Sequence, residues 1–138
     1  MTMPVTLEET VPVPLLRRVA ARVAVAAASL LIRLPPRRLR KVLRTARVGA
    51  RPATEEAALK ARQAVVAVSV RCAGQGCLQR SVAVALLCRI GRRWPDWCTG
   101  VRTEPFRAHA WVEVDGVPVG EREDIRYFHK VMAVQAKR

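Results

Sequence analysis

The sequence predicts an α+β fold, with a helical first half and a small antiparallel sheet in the second. Three observations carry that prediction. Apolar residues recur at helical spacing in four segments before Gly91, and after Pro95 the pattern changes to alternation. Asp115-Gly116, between two alternating runs, is a hairpin turn signal. Between the halves, Gly74-Gln75-Gly76 ends one helical segment and Cys77 opens the next. A chain of 138 residues is expected to form one domain, helical over 1–73, with the Cys77 helix and the sheet over 74–138.

Met1 to Val13, with prolines at 4 and 12 and the pair Glu8-Glu9, reads as an extended arm. Pro14 suits the first turn of a helix. From there to Arg33, Leu15, Val19, Val23, Ala26 and Leu30 repeat near the helical period, until Leu34-Pro35-Pro36 stops the segment. A second helix is expected over Pro36 to Arg47 with Leu39, Val42 and Leu43 turned inward, closed by Gly49 and Pro52. Thr54 has the chemistry of an N-cap, with Glu55 and Glu56 where the helix dipole favours them. The third helix then runs to about Cys72. The fourth starts at Cys77 with the stripe Leu78, Val82, Leu86 and Ile90, and Gly91 ends it. Almost no polar side chain interrupts Val82 to Cys88, which predicts a central, buried helix.

Trp97, Thr99 and Val101 alternate as a strand would, and Trp94 and Trp97 are expected to cover a sheet edge. In Arg107 to Val114 one face carries Ala108, Ala110, Val112 and Val114; the other carries Arg107, His109, Trp111 and Glu113. Val117 to Glu121 returns after the turn, and Tyr127 to Val134 supplies a last strand.

Formal net charge is +14, and the eleven basic residues between Arg17 and Arg51 are interrupted by no acidic one. Such a block is a solvated helix face or a docking surface for an acidic partner. The longest uncharged apolar run, Val23 to Ile32, is ten residues, half of the ~20 that a spanning helix needs. The N-terminus lacks the pattern of a secretory signal, and the four cysteines contain no C-x-x-C pair. Free thiols in a reducing cytoplasm, with no metal and no cofactor, are the expectation.

A cysteine at a helix start sits where the partial positive charge of the helix favours the thiolate. Of the two histidines, His129 has no evident acidic orienter, whereas His109 lies mid-strand between two alanines. Cys77 and His109 are therefore the candidate halves of a thiol acyl-transfer site. Two registers decide the acid. A two-residue turn at Asp115-Gly116 puts Arg122 opposite His109. A three-residue loop with a bulge at Gly116 puts Glu121 there, with Cβ atoms ~5 Å apart. Glu123 and Asp124, on the following loop, remain open, whereas Glu113 is roughly 13 Å along the strand. Backbone N–H groups at the start of the Cys77 helix, including that of Cys77, would form the oxyanion site, with Gln75 as a side-chain donor. Trp111 would wall the site, and Arg107 would face substrate or solvent.

Cys77-Leu78-Gln79-Arg80-Ser81, Gly100-Val101-Arg102, Pro105 to Gly116 and Pro118-Val119 together resemble the lasso peptide leader peptidases, stand-alone transglutaminase-like cysteine proteases. The likeness covers the C-terminal half. It implies a papain/transglutaminase-type fold and a Cys-His-Asp triad, whose aspartate position aligns with Glu121. It implies removal of the leader from a ribosomally made lasso precursor peptide through a thioester, with a threonine near the end of the leader as the recognition feature. It implies two partners: a separate small leader-recognition protein, and an ATP-dependent cyclase that receives the core. Two other functions are compatible with the residues. A transglutaminase-like acyl transferase would use the same side chains, and a non-enzymatic basic adaptor would bind acidic peptide, nucleic acid or membrane. The basic block lacks interleaved aromatics and any nucleic-acid motif.

Overall fold

The computed structural model describes residues 7–122 and 124–137. The described residues before Gly91 form five helices: α1 (Leu15–Leu31), α2 (Pro36–Arg47), α3 (Glu55–Val68), the single turn α4 (Val70–Ala73) and α5 (Cys77–Ile90). Two short strands, β1 (Arg51–Pro52) and β2 (Arg93–Trp94), pair in parallel beside them. The main sheet is antiparallel, in the order β5 (Val117–Pro118), β4 (Arg107–Val114), β3 (Asp96–Arg102) and β6 (His129–Val134). No helix among the described residues is long and apolar enough to cross a membrane.

Helix α5 is the axis of the core. It packs on α1 and α3 on one side and on β4 on the other. Val82, Ala83, Val84 and Ala85 are at most 1% exposed. The buried surface is wider than the sequence stripe, because Gln79, Arg80 and Ser81 are also inside, whereas Ile90 is exposed. Several buried polar groups tie the layers together. Ser81 Oγ donates to the Leu78 carbonyl and accepts from Trp97 Nε1 at 3.1 Å. Trp94 Nε1 donates to the Val134 carbonyl at 3.0 Å. Both tryptophans are fully buried, so they are core anchors between helix and sheet and not covers for a sheet edge.

Helix α1 reverses the orientation that its large residues suggest. Ala21, Ala24 and Ala28 face the core, while Leu16, Val19, Val23 and Leu30 are exposed. Both stripes have helical period, so periodicity alone does not choose between them. Packing does: α5 is flanked on several sides, and an alanine face lets α1 approach it closely. In α2, Leu39 and Leu43 are buried as expected, but Val42 lies at the exposed edge of the stripe. Thr54 caps α3 by accepting from the Ala57 N–H at 3.1 Å. The third helical segment breaks at Ser69, whose side chain then caps α4 by accepting from Cys72 N–H.

The β4–β5 turn is the two-residue kind. Val114 pairs with Val117, and Asp115 and Gly116 both have positive φ (52° and 78°). The ladder then stops. After the Val119 N–H bonds to the Val112 carbonyl, Gly120 turns the chain away at φ 68°. The returning strand is thus two residues long, not Val117 to Glu121, and β4 has an open edge beside His109. The 3-10 turn Ile125–Tyr127 precedes β6, which is shorter than the Tyr127 to Val134 expected.

The two faces of α1 respond oppositely to substitution. Ala24→Leu should cost about 1–3 kcal/mol by overpacking against α5, whereas Val23→Ser should change stability by less than about 0.5 kcal/mol. Urea unfolding midpoints of the two variants check this.

Candidate active site

Cys77 is the first residue of α5. Its place there is built by short-range packing. The Gly76 N–H donates to the Arg71 carbonyl at 3.0 Å, and a Cβ at Gly76 would meet that oxygen at 2.8 Å, so α4 and α5 join only through a glycine. Arg80, one turn into α5, reaches back and donates from Nη1 to the carbonyls of Cys72 (2.9 Å) and Gly74 (3.1 Å). The loop that presents the thiol is therefore held by a buried guanidinium on the same helix.

His109 comes from β4, paired with Gly100 of β3. A Cβ at Gly100 would meet Trp111 Cη2 at 2.8 Å, so the glycine leaves room for the indole. Trp111 is buried and lies nearly parallel to the His109 ring, with centroids 5.9 Å apart and an interplanar angle of 15°. Phe128 touches both rings, with its centroid 5.6 Å from that of His109 and 6.0 Å from that of Trp111. Glu113 orients the indole: it accepts from Trp111 Nε1 at 2.8 Å and from Lys130 Nζ at 2.7 Å.

The structure brings Cys77, His109 and Glu121 together. The thiol hydrogen-bonds to the His109 ring, and the Ala110 N–H, which β5 leaves unpaired at the open edge of β4, also bonds to the sulfur. His109 Nε2 bonds to Glu121 Oε1, which leaves Nδ1 for the sulfur. Glu121 arrives without the bulged hairpin loop that would pair it with His109. The two-residue turn holds, which would bring Arg122 opposite His109, and the bend at Gly120 swings Glu121 in instead. Asp124 is occupied elsewhere, in an exposed pair with Arg126 (Nη2 to Oδ2, 2.7 Å). Glu123 lies outside the described residues. His129 is exposed on β6.

Burial pushes the Cys77 thiol up, but the hydrogen bond with His109, the Ala110 N–H and the charges of His109 and Arg80 outweigh it and hold the group below its ordinary 9.0. Burial alone would lower the His109 ring, yet its bonds to Cys77 and Glu121 push it up to about 9. Burial raises Glu121, and the His109 bond and the Arg62 charge bring it below the usual carboxylate range. Each of the three directions favours the charged form: a thiolate beside an imidazolium, backed by a carboxylate. The other thiols have no such support: burial drives Cys88 and Cys98 up to about 12 and raises Cys72. All four are unbridged.

The remaining expected residues are less engaged. Gln75 is exposed; its carbonyl accepts from the Cys77 N–H at 2.8 Å, so that N–H is occupied in this state. The N–H groups of Leu78 and Gln79 follow it in the first turn, where helical N–H groups have no intrahelical acceptor. Arg107 is exposed at the start of β4, on the His109 face. A cleft of about 680 Å³ lies against the loop before Cys77, lined by Leu7, Val70, Arg71, Gly74, Gln75 and Gly76. No group of three or more His, Cys, Asp or Glu among the described residues could hold a metal ion.

Sequence reasoning missed Arg62, which donates from Nη1 to Glu121 Oε2 at 2.6 Å and grips Glu8 of the arm through Nε (3.0 Å) and Nη2 (2.9 Å). The available signal was an arginine on the core face of α3, between the buried Ala58 and Val65.

A cysteine at a helix mouth, an imidazole on the facing strand edge and a carboxylate behind it, on an α+β frame, are the groups that a thiol acyl-transfer centre requires. The chain belongs to the transglutaminase-like superfamily, whose profile matches residues 21–133. Members of that superfamily are typically cysteine proteases or acyl transferases. No curated protein and no solved structure matches the chain.

Among the four thiols, alkylation by iodoacetamide at neutral pH should modify Cys77 alone in the folded protein. His109→Ala should slow it about tenfold or more, one pKa unit being a factor of ten. Peptide mapping of the labelled protein checks both.

Proposed function

We propose that this chain is a cysteine endopeptidase that removes the leader from a ribosomally synthesised lasso precursor peptide. The observation that carries the acyl-transfer part is the Cys77–His109–Glu121 alignment within a transglutaminase-like chain. The lasso assignment rests on the run Pro105 to Gly116 and on Cys77 to Ser81, which resemble the leader peptidases.

The chemistry follows from the charges. The Cys77 thiolate attacks the scissile carbonyl carbon, forming a C–S bond and an oxyanion. First-turn N–H groups of α5 stabilise that oxyanion, and the Cys77 N–H joins them once it leaves the Gln75 carbonyl. The His109 imidazolium gives its Nδ1 proton to the leaving nitrogen, the C–N bond breaks and a thioester remains. Water then attacks the thioester carbonyl while neutral His109 takes a proton from it, and the thiolate departs. Glu121 keeps Nε2 protonated throughout, so Nδ1 always faces the sulfur. Glutamate serves where the family has aspartate, because the bend at Gly120 sets the carboxylate at the ring.

The substrate is the leader–core precursor, entering along the open edge of β4 and the cleft beside Gly74–Gly76. A separate small leader-recognition protein delivers it, and an ATP-dependent cyclase takes the core. The four unbridged thiols suit a reducing cytoplasm. Superfamily membership equally accommodates transfer of the acyl group to an amine, and product masses distinguish the two.

Cys77→Ala should abolish cleavage of precursor in the presence of the recognition protein, with loss of at least about a thousandfold. Unchanged cleavage rejects the proposal, and amine incorporation without hydrolysis replaces it with the acyl transferase. The rate of cleavage should rise with pH as Cys77 ionises below 9.0, and fall again as His109 loses its proton near about 9. Initial rates across pH, measured by mass spectrometry, check this bell.

A further inference from the structure

Arg62 is the residue whose position the folding of α3 alone does not explain. Its side chain is 7% exposed, on the core side of a helix otherwise lined by alanine and valine. A lone guanidinium withdrawn from water there would be strongly unfavourable, so its partners determine what it does. One edge, Nε and Nη2, forks onto both oxygens of Glu8. The remaining nitrogen, Nη1, meets Glu121 Oε2 at 2.6 Å and the Val119 carbonyl at 3.5 Å.

Glu121 is equally committed. Its side chain is 3% exposed, with Oε1 at His109 and Oε2 at Arg62. The bend that delivers it is also shaped by Arg62. Gly120 sits at φ 68°, and a Cβ there would meet Arg62 Cδ at 2.5 Å. The guanidinium therefore occupies the inside of the turn that places Glu121 at the ring.

We propose that Arg62, gripped by Glu8 of the N-terminal arm, is the positioning residue that aims Glu121 at His109. The arm is thereby part of the site. Its backbone is pinned as well, the Glu8 N–H donating to the Ala73 carbonyl at 2.9 Å. Leu7, the preceding residue, lines the cleft against Gln75 and Gly76. The inference rests on the thiol site proposed above, and it concerns the readiness of Cys77 and not the identity of the substrate.

The charged groups around the site alternate in sign. His109 faces Glu121 from β4, Arg62 faces it from α3, and Glu8 lies behind Arg62 on the arm. Cys77 and Arg80 of α5 lie across the imidazole. With Cys77 held below its ordinary value and His109 pushed up to about 9, the acidic limb of thiol reactivity reports ionisation of Cys77 beside an imidazolium. Loss of Arg62 lets Glu121 leave the ring, so that His109 releases its proton at lower pH and no longer holds a cation beside the sulfur. That loss raises the limb.

The test is the rate of Cys77 alkylation by iodoacetamide as a function of pH, on the full chain, with no substrate present. Arg62→Gln should move the acidic limb up by about one pH unit, a roughly tenfold slower reaction on that limb. Arg62→Lys, which restores the cation, should bring the limb back. The double variant Arg62→Gln/Glu8→Gln removes one charge of each sign and leaves no lone charge at either position. It serves if the single variant does not fold, and it should still move the limb upward, because aim and not net charge has been lost. A limb that stays at its wild-type position in the folded variants, with only thermal stability changed, overturns the proposal and makes Arg62 a structural ion pair. A wild-type profile that His109→Ala also fails to move overturns the thiol site itself, so the two failures are distinguishable.

Discussion

The site depends on one electrostatic constraint: charges withdrawn from water must be paired, and here each is paired through the next. Glu8, Arg62, Glu121, His109 and Cys77 form a line of alternating sign, with a hydrogen bond at every link. Removing one partner from a buried pair leaves the other uncompensated, at a cost of about 3–5 kcal/mol. The line crosses the arm, α3, the bend after β5, β4 and α5. Segments more than fifty residues apart in the chain are thus held to one geometry by the same condition that sets the ionisation of the thiol.

The backbone contributes through what it leaves unpaired. A hairpin of full length would have covered β4 with a ladder and occupied the Ala110 N–H. Pro118 and Gly120 stop that ladder after two residues, which opens the edge to the sulfur and frees the chain to carry Glu121 inward. At the opposite wall, Gly76 and Arg80 hold the mouth of α5 in contact with α4. The thiol and the imidazole meet between a strand edge and a helix start, two places where N–H groups are available by default.

Much of this was legible along the chain. The bounds of α2 and β4, the start of α5 at Cys77, its end at Ile90 before Gly91, and the cap at Thr54 follow from prolines, glycines and the threonine acting on their own neighbours. His109 was distinguishable from His129 because the strand around it alternates cleanly and carries small neighbours. Glu121 was legible only as a candidate, and the register that selected it was not the one the chain adopts, since strand pairing extrapolated past Val119 takes no account of a glycine turning around an arginine from another helix. The stripe of α1 was legible as a helix and not as an orientation. Leu16, Val19 and Val23 share a period with Ala21, Ala24 and Ala28, and only contact with α5 separates them.

The sequence by itself determined the helical half and the sheet half, the ends of most elements, and the presentation of a thiol at one helix start and an imidazole on one strand, because capping, turn chemistry and periodicity act over a few residues. Tertiary structure alone decided which face of α1 is inside, which acid stands behind His109, and that Arg62 joins Glu121 to Glu8. Those outcomes depend on volumes and charges that meet only when distant segments pack, and no local pattern records the distance between them.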